Sequence, residues 1–294
     1  MAKGWLDQSE RGSLFAMQAL AWVTLKLGRR FGRIFLLPIC AYFIIFSGSA
    51  RRSSFNYLRR VLPHKPRWID VVRHYHTFAS TIHDRIYLLS GQHHYFDISI
   101  HGYDAVAPLL RRQGCIMLGS HLGSFEVLRA LGMFDQSLPV NVLMHDEHAD
   151  KLNSILRNLN PAIQPGVITL GHADTLLKVQ ECIERGEIVG ILGDRTFKST
   201  KNVECNFLDG QITLPQGPFA LAAILKTPVI LFFGLYQGGR RYDLHFEIFE
   251  ADPTVDRSQR QQRINEWAQR YADRLAHYCR LAPFNWFNFF DYWK

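Results

Sequence analysis

Several features that would place this sequence in a simple class are scarce. Its 294 residues include only five cysteines, an odd number with no C-x-x-C pair. This pattern argues against both a disulfide framework and a zinc ribbon, and it predicts a reducing compartment. Charged residues make up only 20% of the chain and hydrophobic residues 47%, a composition that excludes a disordered or fibrous protein. We therefore expect a globular protein with a sizeable core.

Acidic residues are also in deficit. The chain carries 26 Asp and Glu against 34 Lys and Arg, which gives a formal net charge of +8. Such a balance favours an acidic partner, namely nucleic acid, an anionic membrane surface or an acidic protein. Composition alone does not choose among the three.

The sequence has no apolar run long enough for an obvious membrane span. The run at residues 34–46 has 13 residues and contains Pro38, whereas a spanning helix needs roughly 20. We expect this helix to lie in the membrane interface, with a short tilted span or a plain core helix as the alternatives. Residues 1–11 are polar and predict no secretory signal. The arginines that flank the run suit anionic headgroups better than a nucleic-acid groove, and they are Arg29, Arg30, Arg33, Arg51, Arg52, Arg59 and Arg60.

The pattern of the chain changes near residue 93. Residues 1–92 predict a helical, membrane-associating region, with helices over 9–25 and 68–89, whereas residues 93–294 predict an α/β domain with a mainly parallel sheet and flanking helices. We expect the last strand at the edge of the sheet, because its apolar and polar residues alternate. The predicted strands cover residues 95–100, 115–118, 140–144, 187–192, 229–233 and 242–249. The predicted helices cover residues 103–112, 125–131, 148–159, 173–185, 219–226 and 257–281.

The candidate active site is the segment Cys-Ile-Met-Leu-Gly-Ser-His-Leu-Gly-Ser-Phe-Glu at residues 115–126. His121 lies in the turn after an apolar strand, and Glu126 lies in the first turn of the next helix. The histidine ring can fold back over the helix start, where Glu126 would hold one ring nitrogen and leave the other as a base for an alcohol. A purely structural pair is the alternative. The same H-x-x-x-x-[DE] spacing occurs at His145 and His245, but neither of those has the strand–turn–helix setting.

The order of several blocks resembles the bacterial lipid A biosynthesis acyltransferases, within the wider glycerolipid and lysophospholipid acyltransferases. The blocks are Ser-His-Leu-Gly-Ser-Phe-Glu at 120–126, Gly-Ile-Leu-Gly-Asp-Arg-Thr at 190–196, Phe-Leu-Asp-Gly-Gln-Ile-Thr-Leu-Pro-Gln-Gly at 207–217 and Thr-Pro-Val-Ile-Leu-Phe-Phe at 227–233. The basic and apolar N-terminus and the aromatic C-terminus complete the resemblance. It looks nearest to the predicted acyltransferases of aryl polyene and xanthomonadin pathways.

The resemblance implies site residues as well as a fold. It makes His121 the catalytic base and Glu126 its partner, and it places Arg195 in a substrate-binding block. Asp194 and Arg195 also follow an apolar strand, where an arginine fork can bind an anion, although a surface ion pair is the alternative. Ser120 and Gly210 are further substrate-binding candidates, and Ser120 stands where the wider family often has asparagine. Gly210 ends a block that departs from the family's F-P-E-G, so we expect no simple glycerol phosphate as substrate.

The resemblance also implies a reaction and a location. We expect acyl transfer from an acyl carrier protein or acyl-CoA thioester to a hydroxyl of a lipid or glycolipid acceptor, at the cytoplasmic face of a bacterial inner membrane. No cofactor, metal or nucleic acid is expected. The histidines at positions 74, 76 and 83 lack the i, i+4 spacing of a helical metal pair, and His93 and His94 do not change that expectation.

Two other functions stay open. A non-catalytic component that binds membrane or carrier protein would bind without forming product. A thioester hydrolase would use the same residues to activate water, although the sequence has no G-x-S-x-G motif. The aromatic tail from Phe284 to Trp293 is compatible with a membrane-interface belt and equally with packing on the core.

Overall fold

The structure is a computed structural model that describes residues 24, 26, 28–128, 139–145, 166–196 and 201–293. The predicted helices over 9–25 and 148–159 lie outside the described residues, apart from Thr24. The helices in the described part are α1 (Arg29–Ile34), α2 (Leu36–Phe46), α3 (Gly48–Val61), α4 (Trp68–Leu89), α5 (Tyr103–Arg112), α6 (Thr175–Glu184), α7 (Gly217–Leu225) and α8 (Arg260–Leu281). The strands are β1 (Asp97–His101), β2 (Cys115–Gly119), β3 (Val140–His145), β4 (Val167–Leu170), β5 (Ile188–Leu192), β6 (Asn202–Phe207), β7 (Gly210–Pro215), β8 (Val229–Gly238) and β9 (Arg241–Glu250).

Seven strands form one sheet in the order β1-β9-β8-β2-β5-β3-β4. Every neighbouring pair is parallel except β8 and β9, which are antiparallel. The predicted α/β class, with a mainly parallel sheet and flanking helices, is therefore confirmed. Strands β6 and β7 form a separate antiparallel hairpin, which the sequence pattern did not predict.

The predicted edge position of the last strand is wrong. The alternation of buried and more exposed residues along β9 is present, but β1 pairs with β9 in parallel and is itself the edge strand among the described strands. Alternation reports that one face of a strand is buried and the other is less so. It does not report whether a further strand lies alongside.

Strand β2 occupies the middle of the sheet and is buried along its whole length. Its side chains alternate between two hydrophobic cores on the two sides of the sheet, as the pleat of a strand requires. Ile116 and Leu118 belong to one core, and Cys115 and Met117 belong to the other. A strand covered on both faces in this way reads as a continuous apolar run, which is why β2 was recognisable from the sequence.

The N-terminal helices share a core with the sheet. Helix α4 begins where the Asp70 carboxylate accepts the backbone N–H of Arg67 at 2.7 Å. Its buried residue Val71 and the α3 residue Tyr57 belong to the same core as Leu118 of β2. The two regions separated at residue 92 therefore pack on one another, and the domain boundary itself stays a prediction.

Helices α1 and α2 carry an exposed apolar surface, here called the apolar face. Its side chains are each about half or more exposed, and they are Phe31, Ile34, Phe35, Leu37, Ile45 and Phe46. Such exposure does not fit the alternative of a plain core helix. No described helix is by itself both long and apolar enough to cross a membrane, but Arg29–Phe46 and Gly48–Val61 together pass that test, with a 98° bend between them.

The N-terminal arginines fall into two groups. Arg29 donates two hydrogen bonds of 2.8 Å to the fully buried Asp84 carboxylate, and Arg33 donates to the Tyr236 hydroxyl at 2.7 Å. These guanidinium groups join the N-terminal helices to the sheet. Arg51 and Arg60 also bond within the fold, to the carbonyls of Ile44 and Leu208 at 2.6 and 2.9 Å. The arginines of the second group point to solvent and are Arg30, Arg52 and Arg59.

Candidate active site

The topology places two functional side chains at one edge of the sheet. Strands β2 and β5 are parallel neighbours, with Gly119 of β2 paired with Leu192 of β5. His121 and Asp194 each lie two residues beyond that pair. Because the carboxyl ends of parallel strands meet at the same edge, the two side chains are brought together there, where open α/β sheets place their ligand sites.

Asp194 accepts hydrogen bonds from two groups of His121, the imidazole ring and the backbone N–H. The Nδ1 of His121 lies 2.8 Å from Asp194 Oδ1, and the His121 backbone N–H donates to both carboxylate oxygens at 3.0 and 3.1 Å. An ionised carboxylate only accepts hydrogen bonds, so the ring proton belongs on Nδ1. The Nε2 atom is then unprotonated and carries the lone pair that a general base needs.

The C-terminal segment, residues 283–293, surrounds the Asp194 carboxylate. The indole N–H of Trp286 donates to Asp194 Oδ2 at 3.2 Å, and the side-chain amide of Asn288 donates to the same oxygen at 2.8 Å. The Tyr292 hydroxyl donates to the Asp194 backbone carbonyl at 2.5 Å. Asp194 is completely buried, so these donors are what compensates the loss of water around its charge.

The electrostatics of the pair agree with this geometry. Burial acts to raise the pKa of Asp194, but the charge and hydrogen bonds of His121 and the charge of Arg195 outweigh it and lower the pKa to about 2. The pKa of His121 is lowered, first because the ring is desolvated and second because Arg195 is near, although Asp194 acts to raise it. Asp194 is thus ionised and His121 neutral near pH 7. With 27% of its side chain exposed, His121 remains accessible to a substrate.

A tight turn fixes the backbone after His121. Gly123 has a φ of +75°, and a Cβ atom there would lie 1.9 Å from the Gly234 carbonyl oxygen. The Gly123 N–H donates to the Asn285 carbonyl at 2.8 Å, and the Phe287 N–H donates to the His121 carbonyl at 2.8 Å. The C-terminal segment therefore pairs with both sides of the turn, and it holds His121 and Asp194 in one rigid unit.

Glu126 does not hold the His121 ring, which corrects the sequence expectation. Its carboxylate accepts from Arg85 Nη2 at 2.6 Å and from the Ser124 hydroxyl at 3.3 Å. The physical reason is that Asp194 already occupies Nδ1 from the neighbouring strand end. Glu126 does begin the helix after the turn, as predicted, and its catalytic role stays a prediction.

The other three predicted residues lie in different settings. Arg195 donates to the Asn288 side chain at 2.8 Å and to the Phe287 carbonyl at 3.2 Å, so it braces the C-terminal segment. Ser120 is 5% exposed, next to His121 in the chain. Gly210 begins β7, where a Cβ atom would lie 2.5 Å from Trp293, so this glycine permits close packing. Substrate binding by these residues stays a prediction.

The aromatic tail packs mainly on the core. Trp286 is fully buried, and Phe287 and Tyr292 are 6% and 9% exposed. Of the two alternatives left open by the sequence, core packing describes these three residues. They do not form a surface belt; they pack beside Asp194, to which Trp286 and Tyr292 donate hydrogen bonds.

Sequence reasoning missed a buried histidine that supports the same segment. His74 of α4 lies 2.8 Å from the Trp286 carbonyl through Nε2 and 2.8 Å from the Ser54 hydroxyl through Nδ1. Burial lowers the pKa of His74 to about 4, so it is neutral and donates to the carbonyl while the hydroxyl donates to it. The N-terminal helices thereby contact the residue that holds Asp194. Only its position on the buried face of a helix could have drawn attention to it.

Comparison with known proteins identifies a family. The family profile of bacterial lipid A biosynthesis acyltransferases matches residues 6–294, almost the whole chain. A search of curated proteins found no match. The match includes both strand ends, the turn with His121 and the C-terminal segment. The chain belongs to the bacterial lipid A biosynthesis acyltransferase family.

Proposed function

We propose that the protein is a membrane-associated O-acyltransferase in which His121, oriented by Asp194, is the general base. The observation that carries the proposal is the 2.8 Å hydrogen bond between His121 Nδ1 and the buried Asp194 carboxylate. It fixes the tautomer that leaves Nε2 as the basic atom, within a family of acyltransferases that act on lipid.

In the proposed reaction, Nε2 of His121 takes the proton from an acceptor hydroxyl as that oxygen attacks the carbonyl carbon of an acyl thioester. The tetrahedral intermediate then breaks its carbon–sulfur bond. The leaving thiolate receives the proton from the His121 imidazolium, so the base is restored and the products are an ester and a free thiol. Asp194 stabilises the imidazolium without taking its proton.

The oxyanion of the intermediate needs hydrogen-bond donors near the turn. The N–H groups of Gly123 and Ser124 already donate to Asn285 and Gly234. The next N–H groups, at Phe125 and Glu126, open the helix and are the orphan donors that a helix start provides. We assign the oxyanion to them in preference to Arg195, whose guanidinium is bound to Asn288 and Phe287.

For the donor we propose an acyl carrier protein or acyl-CoA thioester, and for the acceptor a lipid or glycolipid hydroxyl. The net charge of +8 supports an acidic carrier protein. The block resemblance supports a fatty or polyenoic acyl group and a lipid A-like or aryl polyene lipid as the acceptor. Transfer from a carrier protein should weaken steeply between low and physiological salt, whereas transfer from acyl-CoA at saturating concentration should change little.

We further propose that the apolar face enters the interface at the cytoplasmic side of a bacterial inner membrane. Ile45 and Phe46 are 64% and 61% exposed, and the exposed Arg30 and Arg52 flank the face, an arrangement typical of interfacial helices. The five described cysteines are all free and buried, as suits a reducing compartment.

Vesicle sedimentation tests the membrane proposal. We expect Ile45→Ser with Phe46→Ser to weaken binding to anionic phospholipid vesicles by about 10- to 100-fold, because two large side chains no longer leave water. Leu177→Ser is the matched control, since Leu177 is 57% exposed on α6, a helix that packs on β4 and β5. Equal loss of binding in the control, or no loss in the double variant, would contradict the proposal.

The reaction is tested with a labelled acyl carrier protein and a native membrane extract. Label in a lipid fraction with the wild type, and none with His121→Ala, supports an acyltransferase. Label released as free acid at the same rate without acceptor indicates a hydrolase. Binding to vesicles or carrier protein with neither product indicates a non-catalytic component.

A further inference from the structure

A second cluster of chemically active side chains lies on β1 and β9, separated from β2 in the sheet by β8. It contains His101 at the end of β1 and Asp243 and His245 in β9. These are not the histidines at 74–94 that are close in sequence. Of those, His74 and His83 are buried and hydrogen-bonded within the fold.

The strand register explains why the three side chains meet. His101 is paired directly with His245 in the parallel ladder between β1 and β9. Asp243 lies two residues before His245, and side chains two apart on a strand point to the same face. The two imidazole rings stack with centroids 4.7 Å apart and an angle of 16° between their planes. One nitrogen or oxygen atom from each of the three residues lies within 4.8 Å of the other two.

We propose that His101, Asp243 and His245 bind one divalent transition-metal ion such as Zn²⁺. Two imidazole nitrogens and one carboxylate oxygen are a donor set that zinc accepts, and zinc sites with three protein ligands keep one position for water. Mg²⁺ and Ca²⁺ prefer oxygen donors alone, so the two imidazoles select against them.

Outside the cluster, the titratable neighbours of His245 are Glu247 and His277. Glu247 lies two residues beyond His245, but its carboxylate is held by Arg274 at 2.5 and 2.8 Å and by the Tyr278 hydroxyl at 2.5 Å. That carboxylate is therefore already hydrogen-bonded to side chains of α8. The ring of Tyr278 lies 5.1 Å from that of His245, and it covers one side of the cluster. The other side is open, since His101 is exposed.

A metal ion here would tie β1 to the rest of the sheet. Strand β1 is the edge strand, has five residues and pairs only with β9 among the described strands. An ion bound to ligands from both strands stabilises the folded chain, because the unfolded chain does not hold the ligands together. This role is independent of the proposed acyl transfer.

Calorimetric titration of the full-length protein with Zn²⁺ tests the proposal. We expect a binding step that His101→Ala and Asp243→Asn each weaken by at least about 10- to 100-fold, and that His94→Ala leaves unchanged. His94 is the matched control because it is also an exposed histidine near β1. His101 is exposed, so its replacement should not disturb folding.

Two further readouts distinguish a specific zinc site formed by these three residues from nonspecific binding of zinc to other histidines. Zn²⁺ should raise the melting temperature of the wild type and of His94→Ala but not of His101→Ala. Mg²⁺ should leave the melting temperatures of the wild type and of His94→Ala unchanged. Co²⁺ should give visible absorption bands that are lost in His101→Ala and Asp243→Asn. The proposal is overturned if all variants titrate alike, if His94→Ala loses the step, or if the wild type binds no Zn²⁺.

Discussion

Replacing Asp194 with asparagine separates the role of its charge from the role of its shape. The carboxylate accepts hydrogen bonds from four N–H groups: the His121 backbone, the His121 ring, the Trp286 indole and the Asn288 amide. An asparagine at this position has one accepting oxygen and one donating NH₂ group. It therefore cannot satisfy both sides of the site.

The two orientations of the new amide have different costs. If its oxygen faces His121 Nδ1, the NH₂ group faces the buried donors of Trp286 and Asn288, and each unsatisfied N–H group costs about 1–3 kcal/mol. If its oxygen faces those donors, the NH₂ group faces Nδ1, which must then accept. The ring proton moves to Nε2 and the base is lost. The second orientation avoids the buried unpaired donors, so we expect it to prevail.

The expected result of Asp194→Asn is a fall in kcat of roughly 10³- to 10⁴-fold with a small loss of stability, as known for triads in which the tautomer is reversed. Acyl transfer from labelled carrier protein gives the rate, and ¹⁵N shifts of the His121 ring give the tautomer. Glu126→Gln is the matched control. It should leave the proton on Nδ1 and cost less activity, because Glu126 contacts Arg85 and Ser124. If Glu126→Gln reverses the tautomer and Asp194→Asn does not, the assignment of Asp194 is refuted.

Three further predictions concern the same region. The pKa of His121 is lowered and its neutral form is the base, so kcat/KM should rise with pH and level off, with a midpoint below 6.5. Arg195→Gln should move this midpoint upward, because the charge of Arg195 lowers the pKa of His121. An unchanged pH profile in Arg195→Gln would contradict this. Gly123→Ala should lower the free energy of unfolding by about 2–5 kcal/mol, from the positive φ and the contact with Gly234, whereas Gly217→Ala should not. Asn285→Ala should cost about 2–4 kcal/mol in urea unfolding, since the buried N–H and C=O of Tyr236 lose their partner, and a cost below 1 kcal/mol would count against that role.

The sequence predicted those parts of the fold that repeat a simple pattern. Strand β2 was recognisable because it is a continuous apolar run, and the helices α4, α5 and α8 because their apolar residues follow the helical period. The hairpin of β6 and β7 was missed because its turn uses Leu208 and Asp209 at positive φ, in place of the glycine or asparagine that normally marks such a turn.

Only part of the candidate active site could be predicted from the sequence. His121 was found because it follows a buried strand in a glycine-containing turn. Asp194 was predicted to bind an anion together with Arg195 or to form a surface ion pair, whereas it is buried and bound to His121. Its partnership with His121 depends on β2 and β5 being neighbours in register, which no local spacing reports. The support from Trp286 and Asn288 comes from more than 90 residues away in sequence, so it could only be seen in the structure.

The role of His121 as the general base of an acyltransferase is tested most directly by transfer of a labelled acyl group from acyl carrier protein into the lipid fraction of a native membrane extract. We expect labelled ester with the wild type and with His94→Ala, and none with His121→Ala, whose fold is checked by circular dichroism. Labelled ester at the wild-type rate with His121→Ala would contradict it.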